Sequence, residues 1–207
     1  MSEIQVILIG GPPGAGKSTL GRAVAAELGY ASLTADDLLV SARVLTTKES
    51  HPAFHQMSGV GHVSYFTEGP KEKLVSDSLA QEEAMWPVLE RVISSHIESQ
   101  TPVVIDWWLL RPRAVAALDT DQVASVWLHI DPEALWERER QNTGWMQGSS
   151  DQNRMLANFM HRSLWRNELV ATEAARLGLT VLRLTGREPV EVLVERIVDT
   201  VGIRQNQ

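Results

Sequence analysis

The chain has 207 residues, a length that suggests one domain, residues 1–207, able to bury its own hydrophobic core. Apolar residues make up 43% and charged residues 22%, which excludes wholesale disorder, and the absence of cysteine excludes disulfide scaffolds, thiolate zinc sites and cysteine nucleophiles. The net charge of −7 argues against a nucleic-acid or anionic-membrane partner, no apolar run approaches the roughly 18–20 residues of a membrane span, and Met1-Ser2-Glu3-Ile4 shows no basic leader, so the expected address is the cytoplasm.

Strand-like and helix-like segments alternate, the pattern of an α/β protein with a parallel sheet. Gln5 to Ile9 is a first strand, short and apolar throughout, as expected of a strand buried on both faces. Lys17 to Leu28 follows as a helix, with Leu20, Val24 and Leu28 on one stripe and Gly29 as its stop. Ala31 to Ala35 reads as a second strand, after which Asp36-Asp37 would cap a helix from Leu38 to Leu45. Residues 46–70 read as irregular. A long helix is predicted from about Lys71 to Ser99, with a kink at Pro87.

Pro102 to Asp106 is a third strand, with a helix from Leu109 to Leu118 beyond it, and Val123 to Ile130 is a fourth strand. Asp131-Pro132-Glu133 then carries every mark of a helix start: an acceptor cap, proline at the first position and a carboxylate in the first turn. A polar stretch from Thr143 to Ser150 separates that helix from another, about Asp151 to Leu177, stopped by Gly178. Leu179 to Leu184 is a fifth strand and Pro189 to Val201 the closing helix, leaving a frayed tail at Arg204 to Gln207.

One motif dominates. Gly11-Pro12-Pro13-Gly14-Ala15-Gly16-Lys17-Ser18 fits G-x-x-x-x-G-K-[ST], with a strand entering and a helix leaving. The glycines allow a tight turn over residues 12 to 18, with Thr19 behind them, in which the N–H groups that follow the two prolines face phosphate oxygens at a helix N-terminus. Lys17 would reach the β/γ-phosphates and the Ser18 hydroxyl would ligate Mg²⁺, so the expected ligands are ATP and Mg²⁺. No N/T-K-x-D guanine-reading tetrapeptide occurs.

This layout resembles the small P-loop kinases: the nucleoside monophosphate kinases, shikimate and gluconate kinases and chloramphenicol phosphotransferase. The resemblance implies a three-layer P-loop NTPase fold, a five-stranded parallel sheet carrying a helical lid over about 138–162 and an acceptor-binding segment over about 46–100. It further implies that Asp36, at the end of the second strand, takes the proton of an acceptor alcohol, and that Asp106, ending the third strand, helps hold magnesium. Trp107-Trp108 stands where many relatives have a small residue, either as an aromatic wall near the acceptor or as core packing.

Lid arginines in that group neutralise charge spreading over the transferring phosphoryl; Arg138 and Arg162 are the positions that match, with Arg140, Arg154 and Arg166 as competitors. The stretch Leu184 to Val190 resembles the loop that backs the adenine ring, Gly186 permitting close approach.

The acceptor site is expected between Asp37 and about Leu89, among Arg43, His51, His55, His62, Tyr65, Phe66 and Lys71. His51 and His55 are four apart, but Pro52 between them argues against a metal pair. No arginine follows Asp36 before Arg43, which weakens a nucleotide acceptor, and no basic cluster suited to a doubly charged acceptor is legible. The leading expectation is therefore an ATP-dependent phosphotransferase acting on an alcohol of a small organic molecule. A nucleoside or nucleotide kinase and an ATP-binding regulatory switch stand behind it, and oligomeric state is open.

Overall fold

The structure, a computed structural model, describes residues 3–118 and 120–202; the expectation for the tail from Arg204 falls outside them. The described residues form a five-stranded, wholly parallel sheet from β1 (Val6–Gly10), β2 (Ala31–Thr34), β3 (Val103–Trp107), β4 (Val123–Ile130) and β5 (Thr180–Leu184). Their spatial order is β2-β3-β1-β4-β5. Chain order therefore reverses direction beside β1, and the crevice beyond the C-terminal end of that strand is where such sheets bind ligands.

Alternation along the strands divides the core into two layers. Val6 and Leu8 of β1 join Val103, Ile105 and Trp107 of β3 on one face. That face is covered by α2 (Ala35–Leu45), α4 (Lys71–Ser99), α5 (Pro112–Ala116) and α7 (Gln152–Arg176), through Leu39, Met85, Leu89, Ile93, Val115, Val170 and Ala174. Ile7 and Ile9 point the other way, onto Leu20 and Val24 of α1 (Lys17–Leu28) and Leu193, Val194 and Ile197 of α8 (Val190–Val201). The expected three-layer α/β architecture is what forms, because each central strand has apolar side chains for both faces.

Four local expectations are corrected. The segment 46–70 contains a 3₁₀ turn at Pro52–Phe54 and a helix, α3 (Gly61–Glu68), whose Tyr65 and Phe66 are buried against Met146 and Met155. α2 begins at Ala35, directly off Thr34 of β2, so Asp36 and Asp37 occupy its first turn instead of capping it; carboxylates there suit the positive end of the helix dipole. The helix expected over Leu109–Leu118 is only the short α5, because Leu109 and Leu110 turn into the core before Pro112 can start it. α8 starts at Val190, with Pro189 as the residue before it.

Pro87 lies inside α4, which continues through it. The span over which the resemblance implies a lid, about 138–162, runs from α6 (Pro132–Gln141) through a 3₁₀ turn at Gly144–Met146 into α7. Asp131 caps α6 by accepting from the amides of Glu133 and Ala134, and Asp151 caps α7 by accepting from that of Arg154. Tyr65, Phe66 and Leu74 pack with Met146 and Met155 in a separate cluster that joins α3 and α4 to the 3₁₀ turn and α7. Asn158 Nδ2 donates to the Phe66 carbonyl at 2.8 Å, the Thr67 and Ser149 hydroxyls meet at 2.8 Å, and His62 Nε2 lies 2.9 Å from the Trp145 carbonyl. No described helix is long and apolar enough to cross a membrane.

Candidate active site

The loop from Gly11 to Ser18 leaves β1 at the crevice, with Gly11, Gly14 and Gly16 at positive φ, where other residues are strained. Lys17 starts α1 yet is buried, and its Nζ donates to the Pro12 carbonyl at 2.7 Å, folding the side chain over its own loop. Burial pushes the Lys17 ammonium down to about 8, against the pull of Asp106 and Asp36. An ammonium held in so poor an environment gains most from an anion placed in the loop. Ala15 is buried beneath the turn, Pro13 faces the neighbouring cavity, and Thr19 is exposed on the first turn of α1.

Ser18 and Asp106 come from opposite ends of the motif map and meet. The Ser18 hydroxyl donates to Asp106 Oδ2 at 2.7 Å, and Thr34 Oγ1 lies 3.5 Å from the same oxygen. Asp106 is 3% exposed; burial pushes its carboxyl up, while the Ser18 bond and Lys17 pull it back. Asp106 caps no helix, since Arg111 is the residue that precedes α5. A hydroxyl and a carboxylate beside a phosphate loop fit Mg²⁺, which takes a few protein oxygens and completes its shell with phosphate and water.

Across the crevice Asp36 lies on the wall of a cavity of about 370 Å³, together with Pro13, Leu39, Arg43, Tyr65, Trp108 and Arg162. Asp36 Oδ1 accepts from the indole of Trp107 at 3.1 Å, so the two tryptophans divide the alternatives between them. Trp107 is core and orients Asp36, and Trp108 is cavity wall. Arg162 has Phe66, Trp108 and Phe159 around its guanidinium, with centroids 4.7, 4.5 and 5.4 Å from the central carbon. Burial pushes Arg162 down to about 10, opposed by Tyr65 and Asp36.

Arg166, one helical turn further along α7, is occupied entirely by structure. It pairs with Glu82 and donates to the Trp108 and Leu110 carbonyls, while Glu82 also accepts from Arg111 Nε at 2.9 Å. This competitor thus pins the segment that presents Trp108. Arg140 lies over the Trp136 ring, away from the cavity.

Arg138 sits on the other side of the loop. Its Nη1 donates to the Gly14 carbonyl at 3.2 Å and its Nη2 to the Gly186 carbonyl at 2.9 Å, tying the phosphate loop to the turn after β5. Gly186 has φ +83°, and a Cβ there would lie 2.7 Å from that of Ala134, so this turn must be glycine. A second cavity, about 780 Å³, opens beside it between Ala134, Glu137, Arg138, Thr185 and Arg187.

A family model described as an AAA domain matches residues 7–155, more than half of the chain. The chain belongs to that family. Among solved structures it resembles a shikimate kinase from Bacteroides thetaiotaomicron, at TM-score 0.57 and 19% identity, covering 98% of this chain and 100% of that one. A shikimate kinase from Acinetobacter baumannii in complex with shikimate follows at TM-score 0.53 and 13% identity, covering 99% and 96%. One from Aquifex aeolicus gives 0.52 and 16%, covering 95% and 96%. None of the curated proteins matches in sequence. At these identities the likeness concerns the fold, and that fold is the one expected for P-loop small-molecule kinases.

In this AAA-domain chain the site thus forms two clusters, Lys17 with Ser18 and Asp106 at the loop, and Asp36 with Arg43 and Arg162 at the cavity. His51 stacks on Phe54 and His55 Nε2 lies 3.0 Å from the Thr46 hydroxyl, so both serve the 3₁₀ turn. One residue escaped sequence reasoning: Glu139, 6% exposed on the same stripe of α6 as Leu135, with its carboxyl pushed up by burial. A Cβ on Gly14 would come within 2.5 Å of Glu139 Oε1, so the carboxylate rests against the phosphate loop. Its spacing of four from Leu135 was the available signal.

Proposed function

We propose that the protein is an ATP-dependent phosphotransferase that moves the γ-phosphoryl of Mg-ATP to an alcohol of a small organic molecule. The observation that carries this reading is the common wall: Asp36 and Pro13 of the phosphate loop line one cavity of about 370 Å³, within the range of about 300–1,000 Å³ typical of small-molecule sites.

In this reading the backbone amides of residues 14 to 18 and the Lys17 ammonium hold the triphosphate, Lys17 exchanging the Pro12 carbonyl for phosphate oxygens. Ser18 and Asp106 hold Mg²⁺, directly or through water. When bound, the ion neutralises charge on the β- and γ-phosphoryl oxygens. Asp36, oriented by Trp107, accepts the proton of the acceptor hydroxyl. Arg138 borders the transfer from the nucleotide side and Arg162 from the acceptor side, and the turn at Gly186 backs the base in the larger cavity.

The test is a metabolite library screened for ADP release, followed by mass detection of a phosphorylated product. An acceptor-dependent rate with such a product supports the reading. Response only to nucleosides or nucleotides would move it to a nucleotide kinase, and tight ATP binding with no acceptor-stimulated turnover would make the protein an ATP-binding switch.

A further inference from the structure

Three side chains of α6 converge on one glycine of the phosphate loop. A Cβ on Gly14 would lie 2.5 Å from Glu139 Oε1 and 2.6 Å from Leu135 Cδ1, and Arg138 Nη1 donates to the Gly14 carbonyl at 3.2 Å. Glu139 is therefore held against the residue whose amide opens the row of N–H groups facing phosphate. It is 6% exposed, and no side chain or amide among the described residues donates to its carboxyl. A carboxyl so placed is costly as an anion and far less costly as a neutral acid.

The cations that could compensate it are committed elsewhere. Lys17 donates to the Pro12 carbonyl, Arg138 to the carbonyls of Gly14 and Gly186, and Arg140 lies over the Trp136 ring. On α7, which packs against α6, Arg162 sits among three rings, Arg166 pairs with Glu82, and Arg154 and His161 are exposed. Burial alone pushes the Glu139 carboxyl up, with no charged neighbour opposing or adding to it. A triphosphate in the loop changes that balance, because it brings several negative charges to the other side of Gly14.

We infer that the phosphate loop takes up ATP together with one proton, which passes from solvent to the Glu139 carboxyl and stays there while the triphosphate is bound. This rests on the loop being an ATP site, as in the phosphotransferase reading. No bond of the nucleotide changes in this step, and the proton returns to solvent when the nucleotide leaves. The bound state holds the extra proton, so ATP affinity falls as pH rises from the value at which Glu139 titrates in the empty loop to the higher one it has beside ATP. Below both values the carboxyl is neutral in either state and affinity does not depend on it.

The test titrates Mg-ATP calorimetrically into the unaltered chain and into Glu139→Gln from about pH 5 to 7.5, above the ordinary carboxylate range and below the window of Lys17. Runs in buffers of different ionisation enthalpy count the protons taken up. The unaltered chain should take up a proton that Glu139→Gln does not. The two affinities should be equal at the acid end and differ by about tenfold at the other, the variant binding more tightly. Lys17, Asp106 and the nucleotide titrate in both proteins, so the difference between them belongs to Glu139. Glu139→Met, apolar like Leu135 on the same stripe, should match Glu139→Gln and replaces it if the amide does not fold. Equal proton uptake with parallel affinity curves overturns the inference, as does a variant that binds ATP more weakly throughout. Absence of binding heat from every protein at every pH would instead bring down the ATP site on which the inference rests.

Discussion

The two ends of the crevice are built by opposite means. At the phosphate loop the grip comes from main-chain amides, one lysine and a helix terminus, all within eight consecutive residues. The cavity at Asp36 is built instead from side chains on α2, α3, α4 and α7 and on the segment after β3, with aromatic rings setting the walls. Backbone amides recognise any triphosphate, so that end can be generic. Side chains drawn from several elements can be exchanged one at a time, so the acceptor end is where selectivity is built.

Disabling each end separately sharpens the contrast. Lys17→Ala removes the only side-chain cation of the loop and should lower kcat/KM by about 10⁴-fold or more, with ATP binding lost in calorimetry. Asp36→Asn keeps the shape and the Trp107 contact but removes the proton acceptor. It should lower kcat by about 10²–10⁴-fold while ATP affinity stays within about twofold, and full activity in this variant would remove Asp36 from the mechanism.

Glu82→Gln probes the scaffold between the ends. It leaves Arg166 buried beside a neutral partner, an arrangement that costs about 3–5 kcal/mol in denaturant unfolding. An unchanged midpoint would show that Arg166 does not hold the segment bearing Trp108.

The smallest effect expected is on pH dependence. The Lys17 pKa near 8 lies below its unfolded value, so between the two the unfolded chain binds more protons and the ligand-free protein gains stability from this group as pH rises. ATP needs the ammonium form, so its affinity should fall above pH 8, by at most about tenfold per pH unit. An affinity flat from pH 7 to 9.5 would mean that Lys17 stays charged in the empty loop.

Legibility followed the same division. The loop was readable because phosphate chemistry demands particular residues at adjacent positions, Asp106 was readable as an acid closing an apolar strand run, and Asp36 was singled out through the family resemblance. α3 was missed because Tyr65 and Phe66 gain their burial from Met146 and Met155, 80 to 90 positions away, and Gly61 gives no start signal. Arg166 could not be told from Arg162 in the sequence. Their difference lies in Glu82, more than 80 residues upstream, and in three rings contributed by α3, α7 and the turn after β3.

Isothermal titration of the protein with ATP and magnesium, repeated with Lys17→Ala, addresses the central claim most directly. One saturable site in the unaltered chain, absent from the variant, is the predicted result. No binding heat from the unaltered chain, with adenine or guanine triphosphates, would contradict it.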